Sequence, residues 1–265
     1  MPAARSASVL PPAGEPADWV DLDWSQVEAG RAAMAEVGAF EVPGFVRAAA
    51  LPGFVADARS LVPHAHRSGG LGTAYLAPPE PGLPDAHPRR WVGPYGVGAV
   101  PYDRFPSASP IRRLYEWSEL RAFVAAVLGL DEIFPYADPL GALNLAVMGE
   151  GDELQWHFDQ TDFVVSLALQ PAEVGGDFEV APFIRTEGDE HYDAVAGVLA
   201  GERDRLVTLP MVPGTLVVFA GRSSIHRVTP IAGATPRLVA LLAYDTKPGT
   251  LSSDGLRLVR YGRVA

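Results

Sequence analysis

The chain predicts a mainly β fold, a sandwich or closed barrel with helices gathered to one side. Three observations predict it. Short apolar runs rich in Val, Leu and Phe, separated by Gly or Pro, crowd the second half. The 25 prolines and 27 glycines suit a loop-rich fold of short strands better than a helical bundle. Helical patterning is confined to the first half and one later insert.

Taken in order, residues 1–18 are rich in Pro, Ala and Ser and read as a loose tail. Residues 19–130 read as a helical support and loop region. Ser25 is placed to cap a helix running to about Val37, with Val27, Ala33 and Met34 on its apolar face and Gly38 ending it. AFEVPGFV then reads as a strand and turn. Residues 51–62 and 109–129 read as helices, Gly129 stopping the second. The Pro-, Gly- and aromatic-rich stretch 63–108 between them has no clear periodicity and reads as a long binding loop or lid. Residues 131–265 are expected to hold the β core, with strands over 142–148, 154–159, 162–170, 176–182, 214–221, 224–231 and 237–245, and one helical insert over 189–200. The whole is expected to be a single domain.

Composition narrows the functions. Hydrophobic residues make up 48% of the 265, enough for a sizeable core. A net charge of −11 repels nucleic acid and anionic membranes, so neither is expected as a partner. There is no cysteine, so disulfides and thiolate ligands are impossible and any metal must be held by nitrogen and oxygen. No apolar stretch is long enough to span a bilayer, and the N-terminus lacks the apolar segment of a signal peptide, so a cytoplasmic location is expected.

The chemistry concentrates in His157-Phe158-Asp159, with His226 far downstream and Arg237 soon after it. In a strand, residues two apart share a side, so His157 and Asp159 can both face an interior while Phe158 turns away. A sheet can bring His226 to join them. Two imidazoles and a carboxylate make the facial triad of non-haem Fe(II) oxygenases, leaving three metal positions open. As ordinary polar residues at strand ends they would need no metal. His191-Tyr192-Asp193 repeats the spacing in an acidic, helical setting, where the two side chains diverge, and reads as solvated surface. His64 and His66 form a rival pair in a loop, without a rigid scaffold; His66 is a candidate substrate contact. His87 reads as exposed loop. Arg237 opens an apolar strand and could grip a carboxylate bidentately if it faces inward; Arg227 should point away from the triad. Trp156 should pack behind it.

The order of parts resembles the Fe(II)/2-oxoglutarate-dependent oxygenase superfamily. RRLYEWSEL, DPLGALNLAV, GDELQWHFDQTDF, LQPAEVGGDFEVAPFIR, PGTLVVFAGRSSIHRVTPIAG and RLVALLAYDTKPG are similar to a bacterial group of halogenases and hydroxylases of free amino acids, lysine among them. The resemblance covers roughly residues 112–249. It implies a double-stranded β-helix (jelly roll, cupin-like) core, with His157, Asp159 and His226 binding Fe(II). It also implies Arg237 binding the C5 carboxylate of 2-oxoglutarate, and O2-dependent conversion of that co-substrate to succinate coupled to oxidation of a small molecule in specialised metabolism. The group's halogenases carry Gly or Ala where this chain has Asp159, so hydroxylation is expected and halogenation is not. Desaturation or oxidative cyclisation would use the same parts. A cupin-like enzyme independent of 2-oxoglutarate, and a non-catalytic small-molecule binding barrel, are the readings from other classes. Many members of the superfamily place Ser or Thr two residues after the arginine. Here that residue is Val239, so Thr229, Thr235 or another hydroxyl would have to serve. Asn144, in an apolar strand, is a further candidate contact to co-substrate or substrate. Arg67, Trp91, Thr161 and Asp162 are candidates for substrate, with Tyr75 and Tyr95 able to close over the pocket.

Overall fold

The structure, a computed structural model, describes residues 12–265; the part of the expected tail before Pro12 lies outside the described residues. Residues 12–18 are mostly exposed, with Pro16 buried among them. A single helical turn, α1 (Pro16–Trp19), buries Pro16 and Trp19, and the Trp19 indole donates to the Ala13 carbonyl at 2.8 Å. Asp23, not Ser25, starts the next helix. Its carboxylate accepts the Ser25 backbone N–H at 2.9 Å, and a 3-10 turn leads into α2 (Val27–Glu36). The Asp23 carboxylate reaches forward to a donor that a helix start leaves orphaned. β1 (Ala39–Val42) and α3 (Leu51–Leu61) fall where the pattern puts them.

Residues 63–108 are not a loop. They hold a long hairpin of β2 (His66–Thr73) and β3 (Val92–Val100), paired from His66↔Ala99 to Thr73↔Val92. Glycines 69, 70, 72, 93, 96 and 98 lie within it. A glycine shows no face to the eye and weakens strand preference, so the alternation was hidden. The expected helix over 109–129 is two helices. Trp117 is extended (φ −73°, ψ 121°), separating α4 (Pro110–Glu116) from α5 (Ser118–Val127). Then come β4 (Phe134–Pro135), β5 (Leu143–Met148), β6 (Leu154–His157), β7 (Val164–Gln170), β8 (Val174–Gly175), β9 (Phe178–Ala181), α6 (Tyr192–Ala200), β10 (Val207–Leu209), β11 (Leu216–Phe219), β12 (Ile225–Val228), β13 (Ile231–Ala232), β14 (Arg237–Leu242) and β15 (Tyr244–Asp245). A terminal helix, α7 (Asp254–Tyr261), had no assignment from sequence; the Ser253 hydroxyl caps it.

The main sheet runs β1-β11-β7-β14-β5-β3-β6-β12-β9-β10, with β2 on β3, and its pairings are antiparallel. The three strands before residue 131 therefore belong to the sheet and do not merely support it. The sheet curls into a jelly-roll core, as expected. On one wall Leu143, Leu145, Val147, Val165, Leu167, Leu216, Val218, Leu238, Ala240 and Leu242 pack outward against Phe54, Ile111, Leu114, Leu120 and Phe123 of the helices. On the other, Trp156, Phe158 and Ile225 pack outward against Val195 and Val198 of α6. Strand alternation then turns Asn144, Ala146, Ser166, Ala168, Val239 and Leu241 inward. Small side chains among these leave room inside the curl. Among the described residues no helix is long and apolar enough to cross a membrane.

Candidate metal centre

β6 and β12 pair with His157 directly opposite His226, and their ring centroids are 4.3 Å apart. A bulge between His226 and Val228 increases the local twist at this position. Asp159 does not share the strand with His157, because β6 ends at His157. A turn brings it back instead: the Asp159 N–H donates to the Gly221 carbonyl at 3.1 Å. Its carboxylate presses against the Gly221 α-carbon so closely that a methyl there would overlap Asp159 Oδ2. One ligand atom from each of His157, Asp159 and His226 then falls within 4.8 Å of the other two, a group that could hold a metal ion.

Both imidazoles are held by the backbone. His157 Nδ1 lies 2.7 Å from the Gln155 carbonyl and His226 Nδ1 lies 2.9 Å from the Ser224 carbonyl. A carbonyl only accepts, so each Nδ1 carries the proton and donates it. Each Nε2 keeps its lone pair directed at the shared space, as metal-ligating histidines require. His226 Nε2 lies 3.3 Å from Asp159 Oδ2, but without the geometry of a hydrogen bond, and Oδ2 is buried with no donor. Burial and the neighbouring His226 push His157 down to about 4. Burial pushes Asp159 up, but the two histidines outweigh it and hold the carboxyl at about 2. For His226 burial works downward and Asp159 more than reverses it. The pocket is thus built for one positive charge between carboxylate and imidazoles. An N,N,O donor set with no thiolate suits Fe(II). Phe178 and Phe219 wall His226, with ring centroids 5.4 and 5.1 Å away.

Arg237 begins β14 opposite Met148 and is 7% exposed, with Nε lacking any partner. Burial brings its pKa down to about 10, Asp177 opposing. An unpaired buried guanidinium is costly and calls for an anion. It alternates with Leu238 and so points inward, like Val239. Gly176, two residues before the Phe178 that walls His226, faces it: a Cβ at Gly176 would stand 3.0 Å from Arg237 Cδ. The triad and Arg237 therefore share one interior, the arginine beside the residues that lead into β9. Asn144 is buried on the inward row, opposite Leu241. The Thr229 hydroxyl accepts the Asp177 N–H at 2.9 Å, and Thr235 bonds Glu173 at 2.6 Å; both hydroxyls are engaged locally.

The other sequence candidates are dispersed. Arg67 pairs with Asp152 at 2.5 Å. His66 packs against Gly262 at the end of α7. Trp91 and Tyr75 join the outer cluster behind Trp156, on the far face of the sheet from the triad. Asp162 is exposed and pairs with Arg222 at 2.5 Å, with half-exposed Thr161 beside it. His87 is not exposed loop; its ring meets Tyr192 at 4.4 Å and its Nδ1 accepts the Arg89 N–H. Arg227 points outward onto Glu179 and the Trp156 ring. Gly221 was not singled out in the sequence: a glycine before RSSIH gives no sign of pressing on a carboxylate sixty residues earlier.

The fold is shared with solved 2-oxoglutarate–Fe(II) oxygenases. It is similar to an oxidoreductase of that family from Burkholderia pseudomallei (TM-score 0.55, 16% identity, covering 84% of this chain and 92% of that one). AviO1 from Streptomyces viridochromogenes Tue57 gives TM-score 0.58 at 18% identity, over 88% and 99% of the two chains. The epimerase SnoN, solved with Fe3+, alpha ketoglutarate and nogalamycin RO, gives 0.56 at 18%, over 84% of each. No curated protein matches in sequence. The sequence profile of Halogenase D matches residues 103–253, more than half of the chain and the whole of the triad and Arg237, and the protein belongs to that family.

Proposed function

We propose that this protein is an Fe(II)- and 2-oxoglutarate-dependent oxygenase that hydroxylates an unactivated C–H bond of a free amino acid or a close derivative. The observation that carries the reading is the pairing of a largely enclosed His-Asp-His group with an unpaired buried arginine facing the same interior. SnoN, of the same fold, is solved with iron and alpha ketoglutarate. His157, Asp159 and His226 would hold the metal, whose chemistry when bound is to activate O2 at the expense of 2-oxoglutarate.

The chain's own residues set the conditions. The Gln155 and Ser224 carbonyls lock each imidazole in the tautomer that presents Nε2. The histidines keep Asp159 ionised against its burial. Arg237 would take the far carboxylate of 2-oxoglutarate and so orient it. Phe178 and Phe219 keep water from the His226 side. Asp159 fills the place that Gly or Ala leaves vacant for chloride in the halogenases that the sequence resembles. Its charge beside that place repels an anion, so hydroxylation is favoured over halogenation despite the family's name.

The test loads the protein anaerobically with Fe(II) and 2-oxoglutarate, then admits O2 with a panel of amino acids. Succinate together with product heavier by one oxygen atom is the expected result. Product lighter by two hydrogens would mean desaturation or ring closure. No succinate with any substrate would overturn the proposal. Arg237→Gln should raise the 2-oxoglutarate concentration needed by about a hundredfold; no change would point to a metal enzyme that does not use the keto acid.

A further inference from the structure

Phe158 stands between His157 and Asp159, and its side chain turns out of the sheet into the cluster behind Trp156. Its backbone N–H donates to the Ala74 carbonyl at 2.8 Å. Its ring is capped by Arg185, whose guanidinium carbon lies 3.9 Å from the ring centroid. Arg185 comes from the loop between β9 and α6, and its side chain is largely buried. A cation over an aromatic face is held more firmly where water is excluded.

The same residue holds a second segment. Arg185 Nε donates to the Arg222 carbonyl at 2.7 Å, and its backbone N–H donates to the Ser223 carbonyl at 3.3 Å. Residues 221–223 belong to the turn between β11 and β12, where Gly221 receives the Asp159 N–H and presses on its carboxylate. From this turn the Arg222 side chain reaches back to the Gln160 carbonyl and to Asp162. Two turns far apart in sequence thus meet at Asp159, and Arg185 is stacked on one and bonded to the other. Because β6 ends at His157, no strand ladder fixes Asp159, and its place depends on what holds these turns together. Glu190 keeps Arg185 in position at 3.1 Å and meets Arg89 with its other oxygen at 3.4 Å. Arg89 is itself engaged with the Tyr192 hydroxyl at 2.7 Å and with the Tyr75 ring.

We propose that Arg185 is a positioning residue for the metal: by gripping Phe158 and the 222–223 backbone together, it sets the gap in which Asp159 meets His226. This deepens the oxygenase reading above and rests on it. Arg185 acts through the two turns, from the outer face of the sheet. A metal ligand is only as well placed as the groups that hold it, so loosening this grip lowers affinity for the ion.

The test titrates the full chain with Mn(II), reading the free ion by its electron paramagnetic resonance signal, and follows unfolding of each variant in urea. Arg185→Gln should weaken Mn(II) binding by about tenfold under conditions where the chain is folded. Arg185→Lys keeps a cation for the Phe158 ring and should recover part of that loss. Arg89→Gln also removes a partner of Glu190; it should lower stability yet leave Mn(II) affinity within about twofold. An Arg185→Gln chain that binds Mn(II) like the parent would overturn the proposal, as would a lysine chain no better than the glutamine chain. An equal loss in Arg89→Gln would also overturn it, since the effect would then be general loosening of the loop. Should Arg185→Gln not fold, Arg185→Lys decides: it should bind Mn(II) several-fold more weakly than the parent, and parental affinity would sink the idea. A parent that binds no Mn(II) would instead refute the oxygenase reading, which separates the two.

Discussion

Asp159 and His226 bring two lone pairs to within 3.3 Å of each other, an arrangement that only a cation between them relieves. Asp159 accordingly raises His226 despite its burial. A metal ion supplies such a cation and adds His157, which burial and His226 lower to about 4. The close approach depends on Gly221. Gly221→Ala should push the Asp159 carboxylate aside and weaken Fe(II) or Mn(II) binding by roughly tenfold or more, with under about 1 kcal/mol lost in chemical denaturation. A variant that binds metal like the parent would show that Asp159 has freedom to move. At this scale His157 and Asp159 were legible because their spacing is local. The pressure of Gly221 on Asp159 was not, because no sequence pattern encodes a contact between two turns.

α7 shows what an element can hide. Its cap, Ser253, and its stop, Gly262 in the left-handed region, are ordinary signals, yet the helix had no assignment from sequence. Its hold on the fold is Asp138, whose side chain is fully buried and paired with Arg257. Burial would raise this carboxyl, but the N–H groups of Gly141, Leu140 and Ser252 overcome that and bring it to about 2. A lowered carboxyl stabilises the fold above its unfolded value, here 3.8, and that contribution fades as pH falls through the folded value. Asp138→Asn should therefore cost about 3 kcal/mol at neutral pH, and its deficit against the parent should shrink between about pH 4 and 2 in urea titrations. A deficit independent of pH would assign the loss to packing. β14 has a similar latch. The Gln170 amide donates to the Pro236 carbonyl at 2.6 Å and accepts from Arg59 at 2.6 Å, fixing the backbone that enters Arg237. Gln170→Leu should weaken 2-oxoglutarate binding by about tenfold while leaving metal affinity unchanged; an equal loss of both would mean general unfolding.

For the molecule as a whole, ligands that bind only the folded chain stabilise it by mass action. Fe(II) or Mn(II) at about a hundredfold over its dissociation constant should add roughly 2.7 kcal/mol and raise Tm by about 5 °C for a chain this long. A chelator should reverse the rise in the parent, and Asp159→Ala should show a smaller rise. Scanning calorimetry reads both. An Asp159→Ala chain stabilised as much as the parent would place the metal elsewhere.

The sequence by itself determined the fold class, the longer strands after residue 131 and the residues at the centre, because strand alternation and the His157–Asp159 spacing are short-range and survive in one dimension. His157-Phe158-Asp159, the later His226 and the Arg at the head of an apolar strand could be read off directly. The hairpin over 66–100 could not, since its glycines carry no face to alternate. Nor could the split at Trp117, where a single extended residue interrupts an otherwise helical pattern. Only the tertiary structure decided that Trp91 lies behind the sheet, that Arg67 is taken by Asp152, and that the Arg237 Nε is buried without a partner. Which arginine is paired and which is left free depends on what packs beside it after the chain has closed, and that is a property of distances in space.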